Sequence, residues 1–205
     1  MTDLLRKTAI YAVLTAIVYL VFFFFLDRPV DLWINAHWSD TWVHSWGNYI
    51  SSLATGSYIM LGLALCFLVV FICDSVMKVR WTRLLLYICL SGAIAIVVGE
   101  GLKFLLGRYR PVMLFEQGLY GLHFLSAQWE LNSTPSGHTF RAFSLLTALS
   151  MLYRRFTAVF MSIAVLIGLS RIAVTAHYPG DVIFGAFIGI FTALWVYKYS
   201  RGIRG

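Results

Sequence analysis

The chain has 205 residues, of which 60% are hydrophobic and only 12% charged, and its mean hydropathy is +0.80. Such a composition suits one domain by length but excludes an ordinary soluble one, because apolar runs long enough to cross a bilayer recur along the chain. The net charge of +7 comes from bases scattered between apolar segments rather than from a dense block, which points to a membrane and away from nucleic acid.

In chain order, the apolar runs predict about six spans: Thr8–Leu26, Ser57–Cys73, Leu84–Leu102, Thr139–Leu152, Thr157–Thr175 and Val182–Tyr199. The first is too long for a signal-peptide core and is followed by "DRPVD" rather than a small-residue cleavage site, so it reads as a retained anchor. The fourth is short and has to begin inside the polar stretch before it or run on into Tyr153. The chain is therefore expected to be all-α, a polytopic membrane protein forming a single domain over residues 1–205.

Between the first two runs lies a segment with Trp33, Trp38, Trp42 and Trp46, the last three spaced by four residues and so expected on one helical face. A Trp-rich amphipathic segment belongs in the headgroup region, with His37 and His44 on its surface. Cys66, Cys73 and Cys89 lie in or at the edge of apolar runs without pairing or metal-ligand spacing, and read as small core residues.

Orientation follows from the connections. Arg6, Lys7, Lys78, Arg80, Arg83, Arg154, Arg155, Lys198, Arg201 and Arg204 make ten bases on one side, against six on the other: Arg28, Lys103, Arg108, Arg110, Arg141 and Arg171. The positive-inside rule puts both termini in the cytoplasm. All five histidines, His37, His44, His123, His138 and His177, then fall on the outer side.

Three polar clusters share that side. In "KFLLGRYRP", Lys103 precedes Arg110 by seven residues, close to two helical turns, so both cations can lie on one face where Pro111 ends the helix. Alone, they could be snorkelling bases. In "PSGH", Pro135 to His138, a proline suits the first helical position, Gly137 admits close approach, and the helix start is a ready anion site. Alone, it could be an ordinary cap. In "SRIAVTAHYPGD", Ser170 to Asp181, an arginine in an apolar run is costly, and Asp181 four residues after His177 can orient an imidazole or cap the next helix. Together they set Lys103, Arg110 and Arg171 around a helix start with two histidines and a carboxylate, an array suited to a phosphoryl group.

This set resembles the type 2 phosphatidic acid phosphatase (PAP2) superfamily, whose signature is K-x6-RP, then PSGH, then SR-x5-H-x3-D. Every defining position is matched, from Lys103 to Asp181. The resemblance implies a PAP2-type helical core and a lipid phosphatase in which His177 attacks phosphorus to form a phosphohistidine. It implies that Asp181 holds the His177 ring, that His138 acts as general acid, and that Lys103, Arg110, Arg171, Ser136 and the Gly137 amide bind phosphate oxygens. No metal or other cofactor is implied. The expected partners are a phosphorylated membrane lipid and the bilayer, with neither nucleic acid nor an obligate protein partner. The family's candidate substrates are undecaprenyl pyrophosphate, phosphatidylglycerol phosphate, phosphatidic acid and the phosphates of lipid A, met at the periplasmic or outer face of an inner membrane. The same residues would serve a lipid-to-lipid phosphotransferase. A transporter with a degenerate site is disfavoured by the intact motifs, and a vanadium haloperoxidase by the spans. Arg108 and Arg141 are expected behind the phosphate set or against the headgroup, Glu100 as the partner of a motif base, and His123 on a segment over the membrane surface.

Overall fold

The computed structural model describes residues 2–77 and 80–202, and the described residues form helices, with no β-strand among them. Helix α1 (Thr2–Val21) passes through a π-helical turn, Phe22–Leu26, directly into α2 (Asp27–Trp38). "DRPVD" therefore does not end the helix. The ring of Pro29 would collide with the carbonyl of Phe25 in a regular helix, and the wider turn, closed by the Asp27 N–H on Phe22 O, takes up the mismatch. The remaining helices are α3 (Trp42–Leu53), α4 (Gly56–Met77), α5 (Arg80–Leu106), α6 (Pro111–Gln117), α7 (Gly137–Leu152), α8 (Thr157–Ala173) and α9 (Pro179–Gly202).

Five stretches of the described residues are helical, long and apolar enough to cross a membrane: Asp3–Trp38, Trp42–Cys73, Thr82–Leu106, Arg154–Ala173 and Pro179–Ser200. They carry five of the expected spans. The short fourth one corresponds to α7, whose 16 residues reach about 24 Å along the axis, less than a bilayer's hydrocarbon thickness. Its surroundings explain how it can be short and rich in Ser and Thr. Helix α7 packs against α5, α8 and α9, and buries Thr139, Phe140, Phe143, Ser144, Thr147 and Ser150 against protein rather than lipid. Ser144 donates to the carbonyl of Ser91 on α5 at 2.7 Å, so its hydroxyl is satisfied inside the bundle.

Small residues set the closest approach. A Cβ on Gly189 of α9 would lie 2.5 Å from the Phe140 carbonyl oxygen, and one on Gly185 would lie 2.9 Å from that of Ser136. Only glycine lets α9 run this near the α7 backbone, as in other membrane helix pairs. Beneath this seam Ala95, Phe140 and Ile188 form one buried cluster, and Tyr87, Ala148, Ala193 and Val196 another further along. By contrast, Val13 and Ile17 of α1, Phe71 of α4 and Val97 of α5 face outward, as lipid-facing side chains do.

The tryptophans divide differently from the sequence expectation. Trp38 ends α2 and Trp42 begins α3 beyond a turn, so only Trp42 and Trp46 share a helical face; both are exposed. His37 stacks on Trp33 with ring centroids 4.6 Å apart. The three cysteines are free thiols, Cys89 buried and Cys66 and Cys73 half-buried. Of the bases used for orientation, Lys78 and Arg204 lie outside the described residues.

Candidate active site

The close seam between α7 and α9 brings the second and third motifs together. At its end the Ser136 N–H donates to the Asp181 carbonyl at 3.1 Å, joining the start of α7 to the first turn of α9. The turn from α8 into α9 is held by bonds from the Ala176 and His177 N–H groups to the Arg171 carbonyl, at 3.0 and 3.3 Å. It leaves His177 almost fully buried beside the fully buried Asp181.

Asp181 is saturated. One carboxylate oxygen accepts from Arg108 Nη1 at 2.7 Å and from the Thr134 hydroxyl; the other accepts from Ser133 Oγ at 2.5 Å and from the Tyr178 N–H at 3.1 Å. His177 Nδ1 lies 3.8 Å from Asp181 Oδ2, too far for a hydrogen bond, and 3.4 Å from Ser133 Oγ. The expected direct contact between Asp181 and the imidazole is thus replaced by a serine standing between them. Burial holds the His177 pKa well below its ordinary value; Asp181 nearby opposes this, while Arg110 and Arg171 add to it. At neutral pH the ring is uncharged, the form in which a nitrogen lone pair can act as a nucleophile.

The expected phosphate-binding cations surround the start of α7. Arg171, Arg141, Lys103 and Arg110 all lie close enough to the half-buried His138 to act on its charge. Lys103 is buried and pairs with Glu100 at 3.4 Å, which gives Glu100 the structural role expected of it. Arg110 stacks on Trp129, 4.2 Å from the ring centre, and donates to the carbonyls of Trp129, Asn132 and Ala176 at 2.8, 3.2 and 3.4 Å. Burial lowers its pKa to about 10, which still leaves it charged at neutral pH. Arg171 is held from the side by the Ser51 hydroxyl on α3.

Arg141 joins this group. Its Nε donates to the Gly137 carbonyl at 2.8 Å, and its guanidinium lies over Gly137, where a Cβ would come within 2.5 Å of Nη2 and 3.0 Å of Lys103 Nζ. Gly137 thus keeps the space between two cations clear of a side chain. Ser136 is fully buried and its hydroxyl accepts from Thr139 at 2.9 Å, so its own proton is available to donate.

Arg108 does not face a headgroup. It is fully buried, with Nη1 on Asp181 at 2.7 Å and Nη2 on Asp27 at 2.8 Å, and it is the first of the two arginines in "GRYRP". The rings of Tyr178, Phe23, Tyr120 and Tyr19 surround it at 4.1 to 5.6 Å. Burial opposes its charge, but Asp181, Tyr19 and Asp27 outweigh that and raise its pKa above the ordinary value. The other oxygen of Asp27 accepts from the Gly180 N–H at 2.9 Å. One carboxylate from the α1–α2 rod therefore ties that rod to both the first motif and the third.

The sequence profile of the PAP2 superfamily matches residues 80–204, more than half of the chain and all three motifs. The chain belongs to the PAP2 superfamily. A lipid A 1-phosphatase of Rhizobium etli is 36% identical to this PAP2 chain over 101 residues, 49% of the chain and 44% of that protein. The chain spans less than half the length of the curated relatives it matches. Among solved structures, the fold is similar to a transmembrane PAP2-type phosphatidylglycerolphosphate phosphatase from Bacillus subtilis, with a TM-score of 0.62 at 18% identity over 96% of this chain and 97% of that one. It is also similar to LpxE of Aquifex aeolicus, with a TM-score of 0.56 at 27% identity over 86% and 97%.

Several residues of this PAP2 site escaped the sequence reading. Asp27 and Asp31 carried a signal: two acids one turn apart at the end of an apolar run are costly unless something inside the protein receives them. Asp27 is received by Arg108. Asp31 is fully buried, and neither of its oxygens has a hydrogen-bond partner among the described residues. Ser51, Ser133 and Thr134 had no such signal of their own, since short hydroxyl pairs are common at helix ends and in the polar runs between helices. His123 sits on the connection between α6 and α7, its N–H on the Gly107 carbonyl, and with Tyr109 and Glu130 it lines an open cavity of about 760 Å³. A second cavity of about 290 Å³ opens beside Arg110 and the turn holding His177, between Phe115, Trp129 and Val174.

Proposed function

We propose that this PAP2 chain is a lipid phosphatase that removes a phosphoryl group through a phosphohistidine at the outward face of a cell membrane, with both termini cytoplasmic. The observation that carries the reading is the convergence of Lys103 and Arg141 over Gly137 at the start of α7, with Arg110 bonded to the Ala176 carbonyl and Arg171 at the turn that holds a buried neutral His177. A phosphomonoester or diphosphate is the anion such a set accommodates, because guanidinium forks match its oxygens.

In the first step the free ring nitrogen of His177 attacks phosphorus while the bond from phosphorus to the lipid oxygen breaks. Burial and the four cations keep His138 uncharged before substrate binds, so it takes up its proton with the incoming phosphoryl dianion and gives that proton to the lipid oxygen. In the second step His138 takes a proton from water as the water oxygen attacks phosphorus, the P–N bond breaks, and inorganic phosphate leaves. The cations, with Ser136 and the Gly137 amide, stabilise the charge that develops on the equatorial oxygens. Arg110 next to the cavity beside Trp129 sets the headgroup on that side of the site.

We rank the phosphates of lipid A first among the substrates, ahead of phosphatidylglycerol phosphate, phosphatidic acid and undecaprenyl pyrophosphate; the similarity to a lipid A 1-phosphatase supports this order. The deciding experiment is phosphate release by the detergent-purified protein from each of these lipids, with product lipids identified by mass. Release of inorganic phosphate from at least one lipid is the expected result. Transfer of the phosphate to a second lipid without release would make the protein a phosphotransferase, and no turnover of any of them by folded protein would refute the reading.

A further inference from the structure

Asp181 offers four lone-pair positions, and four donors occupy them: Arg108 Nη1 and the Thr134 hydroxyl on one oxygen, Ser133 Oγ and the Tyr178 N–H on the other. No position is left for a proton on His177, which in any case stands 3.8 Å from Oδ2. Ser133 is fully buried, and its hydroxyl lies 3.4 Å from His177 Nδ1, nearer than the Asp181 carboxylate. A serine hydroxyl has one proton and two lone pairs. The ion pair with Arg108 keeps Asp181 ionised, so at 2.5 Å the Ser133 proton points to Asp181 and only lone pairs remain toward the imidazole.

From this saturation we infer that Ser133 is a positioning residue: it relays the Asp181 charge to His177 and fixes the Nδ1–H tautomer. Nδ1 has to donate, because the facing oxygen has only lone pairs to present. The lone pair of the neutral ring is thereby assigned to Nε2, the nitrogen that would attack phosphorus. Ser133 is itself held in register, its N–H on the Arg108 carbonyl at 3.0 Å, so the first motif places the relay as well as the guanidinium that neutralises Asp181. The inference rests on the reading of His177 as nucleophile only for its consequence in catalysis; the tautomer is a property of the resting protein.

The test is therefore spectroscopic first. Protein labelled with ¹⁵N-histidine is purified in detergent, and the His177 signals are assigned by their loss in His177→Gln. The wild type is expected to show a protonated Nδ1 and a bare Nε2. Ser133→Ala, whose backbone bond to Arg108 is unaffected, is expected to show a mixture of tautomers. Its kcat on an aryl phosphate should fall roughly ten- to hundredfold with little change in KM, the effect of losing one buried hydrogen bond to the reacting group. Ser133→Thr, which keeps the hydroxyl, should restore the single tautomer and most of the rate. A wild-type ring protonated at Nε2 would overturn the inference, as would a single Nδ1–H tautomer with undiminished kcat in Ser133→Ala. Activity surviving in His177→Gln would instead overturn the phosphohistidine reading while leaving the tautomer assignment standing.

Discussion

Arg108 is where the fold and the site can be separated from surface electrostatics. It and both of its carboxylate partners are fully buried, and the two ion pairs measure 2.7 and 2.8 Å. Replacing Arg108 by Gln leaves Asp27 and Asp181 without their neutralising charge. Removing one partner of a buried pair costs about 3–5 kcal/mol, against a typical total stability of about 5–15 kcal/mol. For a chain of this size that is a fall in Tm of about 6–20 °C. The assay is thermal unfolding of the detergent-purified protein, followed by circular dichroism, for Arg108→Gln, Asp27→Asn and the double variant. The double variant carries the sign of the argument. With Asp27 neutral, Arg108→Gln strands one carboxylate rather than two, so the double variant should be more stable than Arg108→Gln alone, with a coupling of about 1–3 kcal/mol. Arg108→Lys should not substitute, since an ammonium cannot fork between two carboxylates. An unchanged Tm in Arg108→Gln, or a double variant less stable than Arg108→Gln, would refute the reasoning.

Other consequences follow from the same arrangement. His177→Ala removes the proposed nucleophile, and no substrate should restore turnover; His138→Ala should lose about 10²–10⁴-fold on a lipid monophosphate and much less on an activated aryl phosphate, whose leaving group needs little protonation. Comparing kcat/KM for both variants on both substrates checks the assignment, and equal losses for His138→Ala would contradict it. Because side-chain cations supply the positive charge, phosphate release should survive EDTA and be inhibited by vanadate; loss in EDTA with recovery in Mg²⁺ would count against this. In a background with Cys66, Cys73 and Cys89 replaced, a cysteine in the Glu116–Gln128 loop should react with an impermeant thiol reagent on intact cells and one beside Arg154 should not. The reverse labelling would invert the proposed orientation.

What could be read from the sequence divides along physical lines. Long apolar runs announce helices because a bilayer leaves the backbone no other partner, so five spans were legible. The fourth was legible only as a problem. Helix α7 is short and hydroxyl-rich because it lies inside the bundle, and its burial depends on α5, α8 and α9, which no local window contains. The cations and histidines were legible because their spacing is rigid within each motif. Their arrangement across motifs was not. Arg108 and Arg110 are two residues apart in the same loop and take opposite roles. The backbone between them pairs on both sides, Tyr109 N–H with the Gly121 carbonyl at 3.1 Å and Arg110 N–H with that of Glu130 at 2.8 Å, and the two side chains part within this frame, Arg108 to Asp27 and Asp181 and Arg110 to Trp129. Only the tertiary pairing decides which arginine meets Asp181 and which stacks on Trp129.

That division explains how one small membrane protein can hold so many cations near a buried imidazole. Arg108 is neutralised by Asp27 and Asp181, and it serves to hold the Asp181 side of the site in place. Lys103, Arg110, Arg141 and Arg171 have among them only Glu100 as an acidic partner within ion-pair distance among the described residues, so their field is directed at His138 and the space over Gly137. Repulsion among four such cations opposes folding, and their anchors are what offset it: Trp129 and three carbonyls for Arg110, Ser51 for Arg171, the Gly137 carbonyl for Arg141. A bound phosphoryl dianion would relieve that repulsion, and the further charge gathering on its oxygens in the transition state would relieve it more. The donors are already in place when that charge develops, so little reorganisation is required at the moment of reaction.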